Sequence, residues 1–213
     1  MNKKAEVFEK TYEDYLKQLS EIELSTKAEI LGADISGENL IIPFYGESYN
    51  VSGSGITDSR GRKANFSICV ALSKYILMCP EEMSENISEK ISNDEKWVTF
   101  REFKDAGPLT VSFVNNTNKT IQNSFQDNQK ALEEACKNLG GIPFYDNSSH
   151  DLSMSFKALP RIPVLLRFNF KDDDFPAQCS VLFKQSAQNF LDMESLAIAG
   201  TFLAGGLINF NNL

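Results

Sequence analysis

Apolar and polar positions alternate in short, separate runs along this chain, and the period changes several times. Phe8, Tyr12, Tyr15, Leu16 and Leu19 recur at helical spacing with charges between them, which predicts an amphipathic helix over residues 7–22 with one core face. Leu40, Ile42 and Phe44 then alternate with polar neighbours, Tyr45-Gly46-Glu47-Ser48 can turn, and Tyr49 and Val51 resume. That is a β-hairpin, with Ala33-Asp34-Ile35 as a third strand. Residues 66–79 are apolar on nearly every face, as a central helix is, and Pro80 stops it.

Trp97, Thr99, Arg101 and Phe103 alternate with Val98, Phe100 and Glu102. Asp105-Ala106-Gly107-Pro108 reads as a turn and Leu109, Val111 and Phe113 alternate again, so a second hairpin is expected. Residues 121–139 predict one amphipathic helix closed by Gly140-Gly141. Val164, Leu166, Phe168 and Phe170 face one way, Leu165, Arg167 and Asn169 the other, and Cys179, Val181 and Phe183 answer across residues 171–177 as a third hairpin. Asp192 is placed to cap a closing helix over residues 193–207. The sum is an α+β fold, antiparallel sheets of hairpins packed against about four helices, because no βαβ rhythm is present. At 213 residues the expectation is a single domain, 1–213, with a two-lobe split near residues 80–96 as the alternative.

Composition narrows the function classes. A formal charge of −8 argues against nucleic acid, whose phosphates reward Lys and Arg, and against anionic lipid. The N-terminus carries no apolar segment behind Lys3-Lys4, and the run 196–208 is too short to span a bilayer. A soluble, cytoplasmic protein is therefore expected. Cys69, Cys79, Cys136 and Cys179 stand singly with no CxxC spacing. They read as buried reduced thiols, with a redox or metal role as the alternative. With His150 the only histidine, no metal site and no cofactor is expected.

Several stretches, in order, resemble an uncharacterised prokaryotic family, domain of unknown function 3786. They are Trp97-Val98-Thr99-Phe100-Arg101-Glu102-Phe103, Leu139-Gly140-Gly141, Ala158-Leu159-Pro160-Arg161-Ile162-Pro163-Val164, Asp173-Asp174-Phe175-Pro176-Ala177, Val181-Leu182-Phe183, Ser186-Ala187 and Phe190-Leu191. Together they cover roughly residues 90–205. The chain departs from the family pattern at Asp172 and Lys184, where Gly and Asp are expected. The resemblance implies no activity. Some relatives carry a cysteine-rich iron–sulfur segment that this sequence lacks, so an iron–sulfur cluster is not carried over.

No GxSxG, HExxH or P-loop spacing is present, which leaves whether this is an enzyme undecided. The polar loop 52–63, with Gly53, Gly55, Arg60, Gly61, Arg62 and Lys63, is either a surface loop or an anion cradle. Asp172-Asp173-Asp174 is either solvated or a hard-cation ligand. Arg161, set between Pro160 and Pro163, and Arg101 either pair with Asp173 or Asp174 or, with Trp97 as an apolar wall, form a small polar pocket. Trp97, Arg101, Arg161, Asp173 and Asp174 are thus the candidate ligand-binding residues. The function expected is a soluble accessory or small-ligand-binding protein. The alternatives are an enzyme on a small anionic metabolite and a protein–protein module, for instance a homodimer through the closing helix.

Overall fold

In a computed structural model the described residues are 3–81, 95–146 and 148–211. The helix α1 (Lys3–Ser20) leads through a 3-10 turn into the single turn α2 (Ala28–Leu31). A four-stranded antiparallel meander follows in the order β1-β2-β3-β4: β1 (Asp34–Ser36), β2 (Asn39–Phe44), β3 (Glu47–Ser52) and β4 (Gly55–Asp58). Leu40, Ile42, Phe44, Tyr49 and Val51 are all buried on one side, so the expected hairpin and its third strand are present. Its turn is Tyr45-Gly46, both with positive φ (48° and 82°), the handedness a two-residue hairpin loop needs. β4 lies inside the segment read as a polar loop. Only Ile56 of that strand is apolar and inward-facing, so the alternation is one residue deep.

The central helix α3 (Phe66–Leu77) is capped by Asn65, whose side-chain oxygen accepts from the Ile68 amide at 3.0 Å. The proposed split near 80–96 falls mostly on residues 82–94, outside the described set.

The second sheet has the order β5-β9-β8-β7-β6, antiparallel throughout: β5 (Trp97–Thr99), β6 (Ile142–Pro143), β7 (Leu152–Leu159), β8 (Ile162–Asn169) and β9 (Gln178–Lys184). β8 is central and buried on both faces around Leu165, which explains its near-continuous apolar run.

The expected hairpin 97–113 does not form. β5 ends at Thr99, whose amide and hydroxyl both donate to the Glu102 carboxylate at 2.7 and 2.8 Å and turn the chain into a 3-10 segment (Phe100–Glu102). Residues 107–125 are then helical: α4 (Gly107–Phe113) with Pro108 in its first turn, a π turn (Val114–Asn118) and α5 (Lys119–Phe125). The inward stripe is Phe113, Thr117, Ile121 and Phe125, spaced by four. A stripe with that period drifts off the core face of a 3.6-residue helix, and the wider π turn brings it back. The expected helix 121–139 is likewise two pieces. Asn128 starts α6 (Gln129–Asn138) by accepting from the Ala131 amide at 3.1 Å.

The closing helix α7 (Met193–Asn211) starts as expected, with Asp192 accepting from Ser195 N at 2.8 Å. It packs on α3, α4 and α6. One buried apolar cluster runs from Tyr12 to Leu207 through both sheets. No helix among the described residues is long and apolar enough to cross a membrane. The architecture is α+β, as the alternating runs imply.

Candidate functional site

The two sheets are bridged at Tyr45. A register shift in β7 between Lys157 and Leu159 leaves the Ala158 carbonyl outside the ladder, and the Tyr45 amide donates to it at 2.9 Å. The Tyr45 hydroxyl donates to the carbonyl of Ala199 in α7 at 2.8 Å. Burial pushes that hydroxyl's pKa well up, so it stays a donor. The β2–β3 turn is thereby fixed to β7 and to α7 together, and beside it α7 and the first sheet diverge.

The gap is a cleft of about 800 Å³. One wall is the first sheet with the first turn of α3: Phe44, Tyr49, Asp58 and Ile68. The other is α7: Phe202, Gly205 and Gly206, with Leu139 alongside. The walls meet where Phe44 and Phe202 pack edge to face, ring centroids 5.1 Å apart. At Gly205 an added Cβ would meet nothing within 4 Å, so the helix presents bare backbone to the cleft. At Gly206 it would come within 3.0 Å of the Leu139 side chain.

The polar rim is internally paired. Asp58 holds the 59–62 turn: its Oδ1 accepts from the amides of Arg60 and Arg62, both at 2.9 Å, and its Oδ2 accepts from Arg62 Nε at 2.8 Å and from its terminal nitrogen at 2.7 Å. The Arg62 amide, the Arg62 side chain and the Arg60 amide together hold the Asp58 carboxyl below the usual range against a desolvation effect of opposite sign. Lys63 Nζ donates to Glu9 at 2.9 and 3.2 Å and lies 4.2 Å from the Tyr12 ring centroid. Tyr49 donates to Glu47 at 2.9 Å.

None of the five residues singled out in the sequence lines this cleft. Arg161 and Asp173–Asp174 lie at opposite ends of β8. Arg161 works on backbone: Nε donates to Ile30 O at 2.8 Å and a terminal nitrogen to Glu29 O at 2.9 Å, closing the end of α2. The same turn carries Gly32 at φ 67°, where a Cβ would approach Pro160 to 3.0 Å. Tyr75 completes the arrangement, donating to Leu31 O at 2.7 Å and accepting from Arg161 N at 3.0 Å.

Arg101 is exposed in the 3-10 segment and shares no strand face with Trp97. Among the described residues neither arginine forms an ion pair with Asp173 or Asp174. Asp172 Oδ1 accepts from the amides of Asp174 and Phe175 at 2.9 and 2.7 Å, a local turn that leaves Asp173 and Asp174 exposed. Trp97 packs on Phe144, centroids 5.8 Å apart, and Lys184 Nζ lies 4.5 Å from its ring. That ammonium also donates to the Glu95 carbonyl, so Lys184 is buried and engaged.

The four cysteines are free and buried. Burial pushes the Cys69 thiol up to about 11 and the Cys136 thiol up to about 12.

No curated protein and no solved structure matches this sequence. A family model, that of a domain of unknown function (DUF3786), matches residues 23–205, which takes in both sheets, the central helix and most of α7 as far as Gly205. The chain therefore belongs to the DUF3786 family.

Proposed function

We propose that this chain is a small-ligand-binding, accessory protein of the cytoplasm, and that the cleft between the first sheet and α7 is where its ligand sits. One observation carries the reading: Gly205 opens a helix face onto a concavity of about 800 Å³, the size class of small-molecule sites, with aromatic walls and a few polar groups at its rim. A helix packed for stability alone has no use for a glycine facing empty space, because the residue lowers helix stability and contributes no contact there. The net charge of −8 supports a partner that is not nucleic acid. Gly205→Leu places a side chain in the cleft without touching the core. Native mass spectrometry of protein purified from its own host should show a bound mass on the wild type that Gly205→Leu lacks. An equal bound mass on both, or a bare chain in both, would count against the cleft.

A further inference from the structure

Resting on the reading of the cleft as a ligand site, we infer that its ligand is an uncharged, largely aromatic molecule. The charged side chains that line the cleft are two carboxylates, Glu47 and Asp58, and two cations, Arg62 and Lys63. Each already has a partner supplied by the chain. Arg62 is held by Asp58 through two donors to one oxygen, Lys63 by both oxygens of Glu9, and Glu47 by the Tyr49 hydroxyl. An anion that used the remaining donors of Arg62 or Lys63 would lie beside the carboxylate each already holds, Asp58 or Glu9. A cation at Asp58 would meet the Arg62 guanidinium already there, and Glu47, held by the Tyr49 hydroxyl, is exposed to solvent. At Arg62, Lys63 and Asp58 the like charge beside the incoming ion offsets the attraction, and the ion must also be desolvated.

The interior favours an apolar ring. Phe44, Phe202, Ile68 and Leu139 line it, and Gly205 offers a flat peptide surface against which a planar molecule can lie. Thr201 and Asn209 stand one turn to either side of Gly205 on the same helix face, where an uncharged hydrogen-bonding edge would find them.

Two dyes that differ by one charged group test this. N-phenylnaphthylamine is neutral, and anilinonaphthalene sulfonate has the same ring skeleton with a sulfonate added. Fluorescence titration of the full chain should show the neutral dye binding at least about tenfold more tightly, a gap of about 1.4 kcal/mol. Gly205→Leu, and independently Thr201→Phe, should remove the binding while the far-ultraviolet circular dichroism is retained. If the sulfonate binds as tightly as the neutral dye and both are lost in the variants, the uncharged-ligand inference is overturned and the cleft stands. If neither dye binds, or the variants leave binding unchanged, the cleft itself is overturned and the inference with it.

Discussion

The amide of Tyr45 donates to the carbonyl of Ala158 at 2.9 Å, and this bond joins the tip of one sheet to a bulge in the other. The same tyrosine's hydroxyl reaches Ala199 in the closing helix, so one residue with a positive φ positions three elements around the cleft. Tyr45→Phe keeps the ring and the backbone bond and removes only the hydroxyl. The expected loss is about 0.5–1.5 kcal/mol in urea unfolding, the usual worth of one such bond. An unchanged midpoint would show that the α7 contact contributes nothing.

Arg161 closes α2 through two backbone carbonyls rather than through a ligand. Arg161→Ala should lower stability by about 1 kcal/mol, because one half-buried and one exposed backbone carbonyl lose a charged donor. Dye binding in the cleft should not change. Arg161→Lys should recover little, since one ammonium cannot copy the two-pronged geometry. A variant of full stability that loses ligand would return Arg161 to the list of binding residues.

The Thr99 amide and hydroxyl, then Lys96, lower the Glu102 carboxyl to about 2. A carboxyl depressed in the folded state stabilises it above the unfolded value, about 4.3, and that stability is lost as pH falls toward about 2. The melting-temperature difference between wild type and Glu102→Gln should therefore be constant from neutral pH to about 5 and shrink below it. A constant difference down to pH 2 would mean that the bonds to Thr99 do not depend on the charge.

All four thiols are buried, and burial raises their pKa values. At pH 8 a thiol reagent should label the native chain slowly and reach four groups only in denaturant. Because the unfolded thiols ionise first as pH rises, stability should fall above about pH 8.5. Rapid labelling of any one cysteine in the native chain would contradict its burial.

How much of this was legible in the sequence depends on where each signal was written. The hairpins β2–β3 and β8–β9 announced themselves because Leu40-Ile42-Phe44 and Val164-Leu166-Phe168 alternate over a half-buried or buried surface. The segment 107–125 did not. Leu109, Val111 and Phe113 imitate a strand, yet Val111 is 71 % exposed and only the four-residue spacing to Thr117 and Ile121 reveals the helix. β7 is hard to read although Leu152, Met154 and Phe156 alternate with serines, since serine marks turns as readily as an outer sheet face.

The site was the least legible part. Arg161 and Asp173 draw attention because charge is conspicuous, yet Arg161 ties the β7–β8 turn to the end of α2 and Asp173 is exposed on a loop. The cleft joins residues near 44–68 to residues near 201–209, and its key feature is the lack of a side chain at Gly205. A missing side chain leaves no pattern until the helix and the sheet are placed side by side.

Gly205→Leu should also raise stability by about 0.5–1 kcal/mol, because a helix-favouring residue replaces glycine where nothing obstructs it. A variant that is more stable and does not bind separates loss of function from loss of fold. A destabilised variant would mean that the space beside Gly205 is smaller than it is here.

The most direct measurement is amide chemical-shift mapping of the full chain titrated with N-phenylnaphthylamine. The account requires the largest changes at Phe44, Phe202, Gly205, Gly206 and Asn209, with the β8–β9 loop at Asp173–Asp174 unmoved. Changes centred on Trp97, Arg101 or that acidic loop, with α7 silent, would contradict it.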